Sequence, residues 1–263
     1  KQLAPRAAAL GRQLAPRAAA FGRQLGPLAR RGAAATGHGL RATGRRLALV
    51  QDVFQKFALP DPDIVISSVG TAIFYRLDGS QPDTEWAQHL DHEWDADAVR
   101  HLASSAPGLR LQHAPSQGPF KVSFLVDGAQ FNLTGLHSAL GDWLLKINVI
   151  LTQNKLLDLL PRRASKGHAI RFLARKLALP LEQVLVCGDS GNDIDMLQTT
   201  GRALVVGNYS PELEGLRTSP GIYFSREPAA AGILDGLRHY GFADPEPLTG
   251  IGRSPQHQRI ALH

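Results

Sequence analysis

Two kinds of apolar pattern alternate along most of this chain. Short apolar runs with β-branched residues, bounded by proline or glycine, predict buried strands at residues 63–70, 184–188, 203–207 and 222–224. Helical spacing of apolar positions predicts helices at residues 46–57, 166–177, from about residue 193, and at 229–240. This alternation predicts an α/β fold built on a Rossmann-like, doubly wound parallel sheet.

The pattern changes between residues 77 and 160. A polar helical stretch containing Trp86 and Trp94 is followed by strand candidates at residues 121–126, 146–152 and 155–160. We interpret residues 77–160 as an α/β cap domain, packed by the two tryptophans. The cap is inserted into a core made of residues 38–76 and 161–242. His89 and His92 lie at helical spacing, but no third ligand accompanies them, so an exposed helix face is favoured over a metal site.

The two ends of the chain differ from this body. Residues 1–37 form a basic low-complexity arm in which KQLAPRAAALG, RQLAPRAAAFG and RQLGPLARRGA follow one another, and the repeated prolines predict short, interrupted helices. The arm is either a tether for an anionic surface or an extension without a role. Nucleic acid is not an expected partner, because no nucleic-acid-binding motif accompanies the arginines. Residues 243–263 are rich in proline, glycine and polar residues, and we expect a loose tail.

Charge and composition narrow the class of protein. Of the 29 lysines and arginines, ten fall within residues 1–51, which hold no aspartate or glutamate, and the other 19 face 23 acidic residues. The net positive charge therefore lies in residues 1–51, and seven of the ten basic residues there belong to the arm. No apolar run reaches the roughly 18 residues of a membrane helix, and no secretory signal is evident, so a cytoplasmic location is expected. Cys187 is the single cysteine and lies in an apolar run, which favours a packing role.

The strongest chemical signal is GDSGND at residues 188–193, which directly follows a predicted buried strand. Ligands gather at the carboxyl ends of strands in parallel sheets, so Asp189 and Asp193 are placed together there. Two carboxylates on one turn suit Mg²⁺, which prefers oxygen ligands and bridges to phosphate, while Ser190 and Asn192 can donate to phosphate oxygens. The alternative is an ordinary surface turn of small polar residues.

Three segments together resemble the haloacid dehalogenase superfamily. GDSGND resembles its fourth motif, Ala42-Thr43-Gly44-Arg45 its second, and Ser165-Lys166-Gly167 its third. The amino-acid sequence is also similar to sucrose-phosphate phosphatases, and to the related C-terminal domain of sucrose-phosphate synthases, at residues 59–75, 120–124, 147–167 and 205–217. The resemblance runs from about residue 40 to 242.

This resemblance implies a Mg²⁺-dependent phosphatase that acts on sucrose 6-phosphate. It implies that Thr43 and Lys166 are catalytic, Thr43 by binding a phosphate oxygen and Lys166 by neutralising charge on the phosphoryl group. Asp189 is implied as a Mg²⁺ ligand, with Asp193 supporting the metal site and orienting Lys166. The implied substrate-binding residues are Thr43, Gly44, Arg45 and Asn192 around the phosphate, Thr71 near the hinge, and Lys121 in the cap.

The sequence departs from the family at its first motif. That motif is a strand ending in Asp-x-Asp, which supplies the nucleophile and the acid and base, whereas the arginine-proline repeats stand in its place and no acidic residue precedes Asp52. We therefore expect impaired activity and an incomplete sheet centre, unless another segment replaces the strand. Other Asp-x-Asp pairs occur at residues 61 and 63, 95 and 97, and 193 and 195. None of them lies at the carboxyl end of the first strand of the domain, where the family has its nucleophile.

Two further hypotheses stay open at this point. The chain could be a non-catalytic sugar-phosphate-binding or scaffolding domain derived from a sucrose-phosphate synthase, and such a synthase is then a candidate partner. It could also act mainly through its basic arm at an anionic surface.

Overall fold

The computed structural model describes residues 40–56, 61–78, 81–242 and 260–262. The basic arm and most of the tail lie outside these residues. Within the described residues, the longest and most apolar helices are too short or too polar to cross a membrane. The cytoplasmic location stays a prediction.

The core is a seven-stranded sheet. Its strands are β1 (Leu40–Ala42), β2 (Ile64–Ser67), β3 (Ala72–Phe74), β8 (Val184–Gly188), β9 (Ala203–Val205), β10 (Ile222–Phe224) and β11 (Ile260–Leu262). They lie in the order β10-β9-β8-β11-β1-β2-β3, and every neighbouring pair is parallel except β2 with β3. The predicted parallel α/β core is confirmed.

Helices cover both faces of this sheet. They are α1 (Leu47–Lys56), α2 (Thr84–Asp91), α5 (Lys166–Lys176), α6 (Ile194–Leu197) and α7 (Ala229–His239). Along β8, Val184 and Val186 join the apolar cluster that contains residues of α5 and α6, whereas Leu185 and Cys187 join the cluster that contains Ile233 of α7. Burial on both faces explains why the strand is a continuous apolar run, and it gives Cys187 the expected packing role.

The cap is a separate antiparallel sheet inserted between β3 and α5. It contains β4 (Leu109–Leu111), β5 (Val122–Val126), β6 (Ile147–Thr152) and β7 (Leu156–Pro161) in the order β4-β5-β7-β6, together with α3 (Ala96–Ala103) and α4 (Leu133–Leu140). It has its own apolar core around Val99, Phe124 and Leu136. Residues 153–155 join β6 to β7, and Gln153 and Asn154 both have φ near +50°, which is typical of a tight hairpin turn.

The two predicted cap tryptophans pack in different domains. Trp94 packs against the cap core as expected. Trp86 is 1% exposed within the main core, where its ring lies 5.1 Å from that of Phe172 and its indole N–H donates to the Gly70 carbonyl oxygen at 3.1 Å. The prediction for Trp86 is wrong because α2 packs on the core sheet although it precedes the cap. His89 and His92 are both exposed.

The tail contributes the middle strand of the core sheet. Ile260–Leu262 form β11, which pairs with β8 over residues 184–186 and with β1 at Leu40. The prediction of a loose tail is therefore wrong for these three residues. They occupy the sheet centre that the sequence left incomplete, and their pairing links the β8 half of the sheet to the β1 half.

Substitution of Ala261 by proline tests this central position. The change removes a backbone N–H from a strand with neighbours on both sides. We expect the free energy of unfolding to fall by at least about 1–3 kcal/mol, the cost of an unsatisfied buried hydrogen-bonding group. Urea unfolding followed by tryptophan fluorescence measures it. Ala261→Val keeps the N–H and is the matched control, and equal midpoints for the two variants would contradict the pairing.

Asp83 joins three elements of the core. Its carboxylate caps α2 by accepting from Trp86 N at 2.8 Å, and it also accepts from the Tyr75 hydroxyl at 2.5 Å and Lys176 Nζ at 2.7 Å. Burial alone would raise the pKa of Asp83, but the hydrogen bonds from Lys176, Tyr75 and the Trp86 amide outweigh it and hold the pKa below its usual value. The charged form therefore stabilises the fold.

Asp83→Asn keeps the shape and the helix cap but removes the charge. We expect a loss of about 1–3 kcal/mol at neutral pH, because hydrogen bonds to a charged group weaken. A carboxylate whose pKa is lower in the folded state stabilises the fold at pH values above its unfolded pKa of about 4. This stabilisation is lost as the pH falls through the folded-state pKa, so the difference in stability between the two proteins should shrink in acid. Thermal unfolding between neutral pH and pH about 3 measures it. Glu85→Gln, an exposed partner of the same lysine, should change little.

Candidate phosphate site

Two loops meet at one edge of the core sheet. Thr43 follows β1 and Asp189 follows β8, and these strands run parallel on either side of β11. Carboxyl ends of parallel strands share an edge, so both loops open on the same side. Thr43 is fixed there because its N–H donates to the Ile66 carbonyl oxygen at 2.8 Å and its carbonyl oxygen accepts from Val69 N at 3.0 Å.

Lys166 is the first residue of α5 and reaches the GDSGND loop. Its Nζ donates to Asn192 Oδ1 at 2.5 Å and to Asp193 Oδ1 at 2.6 Å. Lys166 and Asp193 are each 5% exposed, and buried charges of this kind need paired hydrogen bonds. Two of the three ammonium donors are used here, and the charge is held in one place by the two loop residues.

The other oxygen of Asp193 holds its own loop. Asp193 Oδ2 accepts from Asp189 N at 3.0 Å and Ser190 N at 3.2 Å, while Asp193 N donates back to the Ser190 carbonyl oxygen at 2.8 Å. A side chain at Gly188 would place its Cβ 2.6 Å from Asp193 Cβ, so the tight turn requires glycine there. Both oxygens of Asp193 are thus engaged. Asp189 is exposed, at the end of the strand.

The Thr43–Gly44 turn approaches the same loop. A Cβ at Gly44 would lie 3.9 Å from Asn192 Nδ2, so the second and fourth motifs are adjacent. Thr43 Oγ1 accepts from Arg45 N at 3.2 Å, and its hydroxyl can also act as a donor. Arg45 is exposed nearby. The structure therefore brings together Thr43, Gly44, Lys166, Asn192 and Asp193 in one cluster.

A strained loop separates Thr43 from Lys166. The predicted strand at residues 63–70 ends at Ser67, because Ser68 and Val69 adopt φ values of 52° and 63°. Positive φ is rare for a β-branched residue and costs about 1–3 kcal/mol. Gly70, at φ 95°, is so close to α5 that an added Cβ would lie 2.2 Å from the Ser165 carbonyl carbon. Thr71 is buried and donates its hydroxyl to the Ser68 carbonyl oxygen at 3.0 Å.

Ser165 and Asp195 stabilise the start of α5, the helix that begins with Lys166. The sequence analysis gave neither residue this stabilising role. Ser165 Oγ caps α5 by accepting from His168 N at 2.9 Å, and its hydroxyl donates to Asp195 Oδ2. A Cβ at Gly167 would clash with that carboxylate. Burial lowers the pKa of His168; Asp195 opposes this shift and Arg171 adds to it. The available signal for Ser165 was a serine directly before a predicted helix, which is a preferred N-cap residue.

Lys121 lies inside the cap and is 5% exposed. Its Nζ donates to Asp158 Oδ1 at 3.4 Å, and Ser123 Oγ donates to the same carboxylate oxygen. Contact of Lys121 or Thr71 with substrate stays a prediction.

The acidic side chains at this edge of the sheet suit a metal ion that needs few protein ligands. Among the described residues, no group of three or more His, Cys, Asp or Glu side chains could hold a metal by itself. Asp189 offers one carboxylate at the sheet edge, in the same loop as Asn192 and Asp193 of the cluster described above. A cation that uses few protein carboxylates and completes its shell with water and substrate phosphate fits such a site, and Mg²⁺ behaves in this way.

Comparison with known proteins first defines the class. A solved sugar phosphatase of haloacid dehalogenase subclass IIB matches with a TM-score of 0.53 at 15% identity, over 78% of this chain and 85% of that one, which shows likeness of fold. The sucrose-phosphatase from Synechocystis sp., solved with sucrose and phosphate, matches with a TM-score of 0.70 at 31% identity, over 77% of this chain and 84% of that one. The fold and the 31% identity to this solved sucrose-phosphatase place the chain in the haloacid dehalogenase superfamily.

Sequence comparison then defines the family. Residues 31–241 match the family model for sucrose-6F-phosphate phosphohydrolase, so the chain belongs to this family of phosphoric monoester hydrolases. Probable sucrose-phosphatase 2 of Arabidopsis thaliana is 34% identical, covering 76% of this chain and 50% of the relative. Mannosylfructose-phosphate phosphatase of Agrobacterium fabrum is 32% identical, covering 74% and 78%. The chain spans about half the length of the plant relatives it matches.

A double-mutant cycle tests the buried Lys166–Asp193 pair. Lys166→Met leaves the Asp193 carboxylate buried without its cation, which should cost about 3–5 kcal/mol. Adding Asp193→Asn removes the stranded charge, so the double variant should be more stable than the sum of the two single changes predicts. Urea unfolding measures all four proteins. Arg171→Met, which breaks a half-exposed pair with Asp195, is the control, and additive single effects would show that the pair is not coupled.

Proposed function

We propose that this chain is a Mg²⁺-dependent phosphatase for sucrose 6-phosphate, releasing sucrose and phosphate, with slow turnover. The observation that carries this proposal is the Lys166 ammonium held between Asn192 and Asp193, beside the Thr43–Gly44 turn. A fixed cation surrounded by hydrogen-bond donors suits a phosphoryl group, because catalysis of phosphoryl transfer is largely positioning and charge stabilisation.

Each residue of the cluster has a role that follows from its position. The Thr43 hydroxyl and the Asn192 amide donate to phosphate oxygens, while the third Lys166 N–H neutralises negative charge. Arg45 lies at the exposed rim and attracts the anion. Asp189 is the direct metal ligand. Asp193 acts through the loop and Lys166, because both of its oxygens already accept hydrogen bonds. When bound, Mg²⁺ would draw charge from a phosphate oxygen.

The proposed substrate rests on the relatives. The family model and the Arabidopsis relative are named for sucrose phosphate or sucrose-phosphatase activity, and the Synechocystis structure contains sucrose and phosphate. The Agrobacterium relative is named for mannosylfructose phosphate. All are phosphorylated disaccharides or their products, so a phosphorylated disaccharide is the substrate class, and sucrose 6-phosphate is the specific choice. A sucrose-phosphate synthase partner stays a prediction.

Slow turnover is proposed from where the described Asp-x-Asp pairs lie. Asp61 and Asp63 precede β2, at the opposite edge of the sheet from Asp189. Asp95 caps α3 in the cap domain. The third pair, at residues 193 and 195, is already engaged by Lys166 and Ser165. None of the three pairs is therefore placed to attack phosphorus beside Lys166. The comparisons name phosphatases, so they do not favour the non-catalytic alternative.

Binding and turnover are measured separately to test this function. By calorimetry, inorganic phosphate should bind in the presence of Mg²⁺, and Asp189→Asn should weaken binding at least tenfold, about 1.4 kcal/mol. Asp63→Asn, at the opposite sheet edge, should not. Phosphate release from sucrose 6-phosphate should fall well below the roughly 1–10³ s⁻¹ typical of enzymes. Mannosylfructose phosphate serves as the competing substrate.

Two outcomes would overturn parts of this proposal. Rapid release that Asp189→Ala abolishes would show that a nucleophile is present and that slow turnover is wrong. No Mg²⁺-dependent phosphate binding in a folded protein would rule out the phosphate site itself.

A further inference from the structure

Glu212 joins the cap to the GDSGND loop through one side chain. It lies in the 3₁₀ segment Pro211–Leu216, which follows β9, and it is partly buried. Its Oε1 accepts from the backbone N–H of Gln153, at the β6–β7 turn of the cap. Its Oε2 accepts from Gly191 N at 3.2 Å, within the GDSGND loop, and from Ser210 Oγ at 2.6 Å.

The surrounding geometry is fitted to this carboxylate. A Cβ at Gly191 would lie 3.2 Å from the Glu212 carboxyl carbon and 3.2 Å from the Leu151 carbonyl oxygen. The end of β6 and the glutamate therefore both pack closely against the GDSGND loop at Gly191. Ser210 N also donates to the Asp189 carbonyl oxygen at 2.7 Å. Ser210, which directly precedes the segment that carries Glu212, therefore fixes the backbone of Asp189 as well.

We propose that Glu212 is a positioning residue that couples docking of the cap to the geometry of the GDSGND loop. When the cap turn is in place, the Gln153 N–H holds one carboxylate oxygen and aims the other at Gly191. When the cap turn leaves, the carboxylate loses its fixed orientation and the loop loses a charge-assisted hydrogen bond. This inference rests on the proposed function, since it gives the cap control over the loop that is proposed to bind Mg²⁺ and phosphate.

The carboxylate matters because it only accepts hydrogen bonds. Both backbone partners are N–H donors, and an ionised glutamate offers two acceptor oxygens to them. A glutamine of the same shape has one acceptor oxygen and one NH₂ group, and the NH₂ would face an N–H donor. Glu212→Gln therefore breaks the bridge on at least one side without changing the volume of the side chain.

Hydrogen exchange at the two backbone amides tests the bridge without any need for turnover. In the full chain, Glu212→Gln should speed exchange at Gln153, at Gly191 or at both by at least tenfold. Glu214→Gln is the matched control: Glu214 lies in the same 3₁₀ segment but accepts from Tyr209 and Arg217, so both amides should exchange as in the unmodified protein. If the glutamine variant does not fold, Glu212→Asp keeps the charge but shortens the reach, and exchange at both amides should rise.

Ligand binding then tests the coupling. Mg²⁺ with inorganic phosphate should slow exchange at both Gln153 and Gly191 in the unmodified protein, and only at Gly191 in Glu212→Gln. Unchanged exchange in Glu212→Gln and Glu212→Asp would overturn the bridge, as would equal effects in Glu214→Gln. Equal ligand protection of Gln153 with and without the glutamate would overturn the coupling. Failure of phosphate to bind the unmodified protein would instead refute the proposed function and leave the exchange result on the bridge standing.

Discussion

The buried pair of Lys166 and Asp193 is the contact on which the geometry of the candidate phosphate site depends. Two opposite charges, each 5% exposed, are stable together only if the start of α5 and the GDSGND loop keep a fixed separation. Other features of the core maintain that separation. Ser165 caps α5, Gly70 lets the Ser68–Gly70 loop lie against the helix start, and Gly188 allows the tight turn. The site is thus assembled because two glycines let backbone segments approach closely and a serine caps the helix that carries Lys166.

Most of the regular structure could be predicted from the sequence because it depends on local patterns. The strand at residues 184–188 has the same bounds in the structure, since burial on both faces produces an uninterrupted apolar run. Helices α5 and α7 likewise lie within a residue of their predicted bounds. Asp189 and Asp193 could be placed at the carboxyl edge of the sheet because they directly follow a predicted buried strand. The position of Thr43 and Lys166 beside them was implied only by the family resemblance.

The parts that could not be predicted depend on contacts between distant segments. Trp86 precedes the cap but packs on α5, and no local pattern distinguishes the two domains. The strand at residues 260–262 is three residues long, too short for its periodicity to be seen in a polar tail. Glu212 looks like any exposed helix acid until the cap turn is placed beside it. Positive φ at Val69 contradicts its intrinsic preference and is imposed by the neighbouring core.

The position of β11 has a consequence for how the chain folds. Leu262 pairs with Leu40, about 220 residues earlier, so a central strand of the core pairs across most of the chain. Contacts of such long sequence separation form slowly because a large loop must close first. During synthesis, the cap can fold from contiguous residues before β11, the middle strand of the core sheet, has been made. Until β11 pairs, the facing edges of β8 and β1 are open, and unpaired strand edges of this kind favour aggregation.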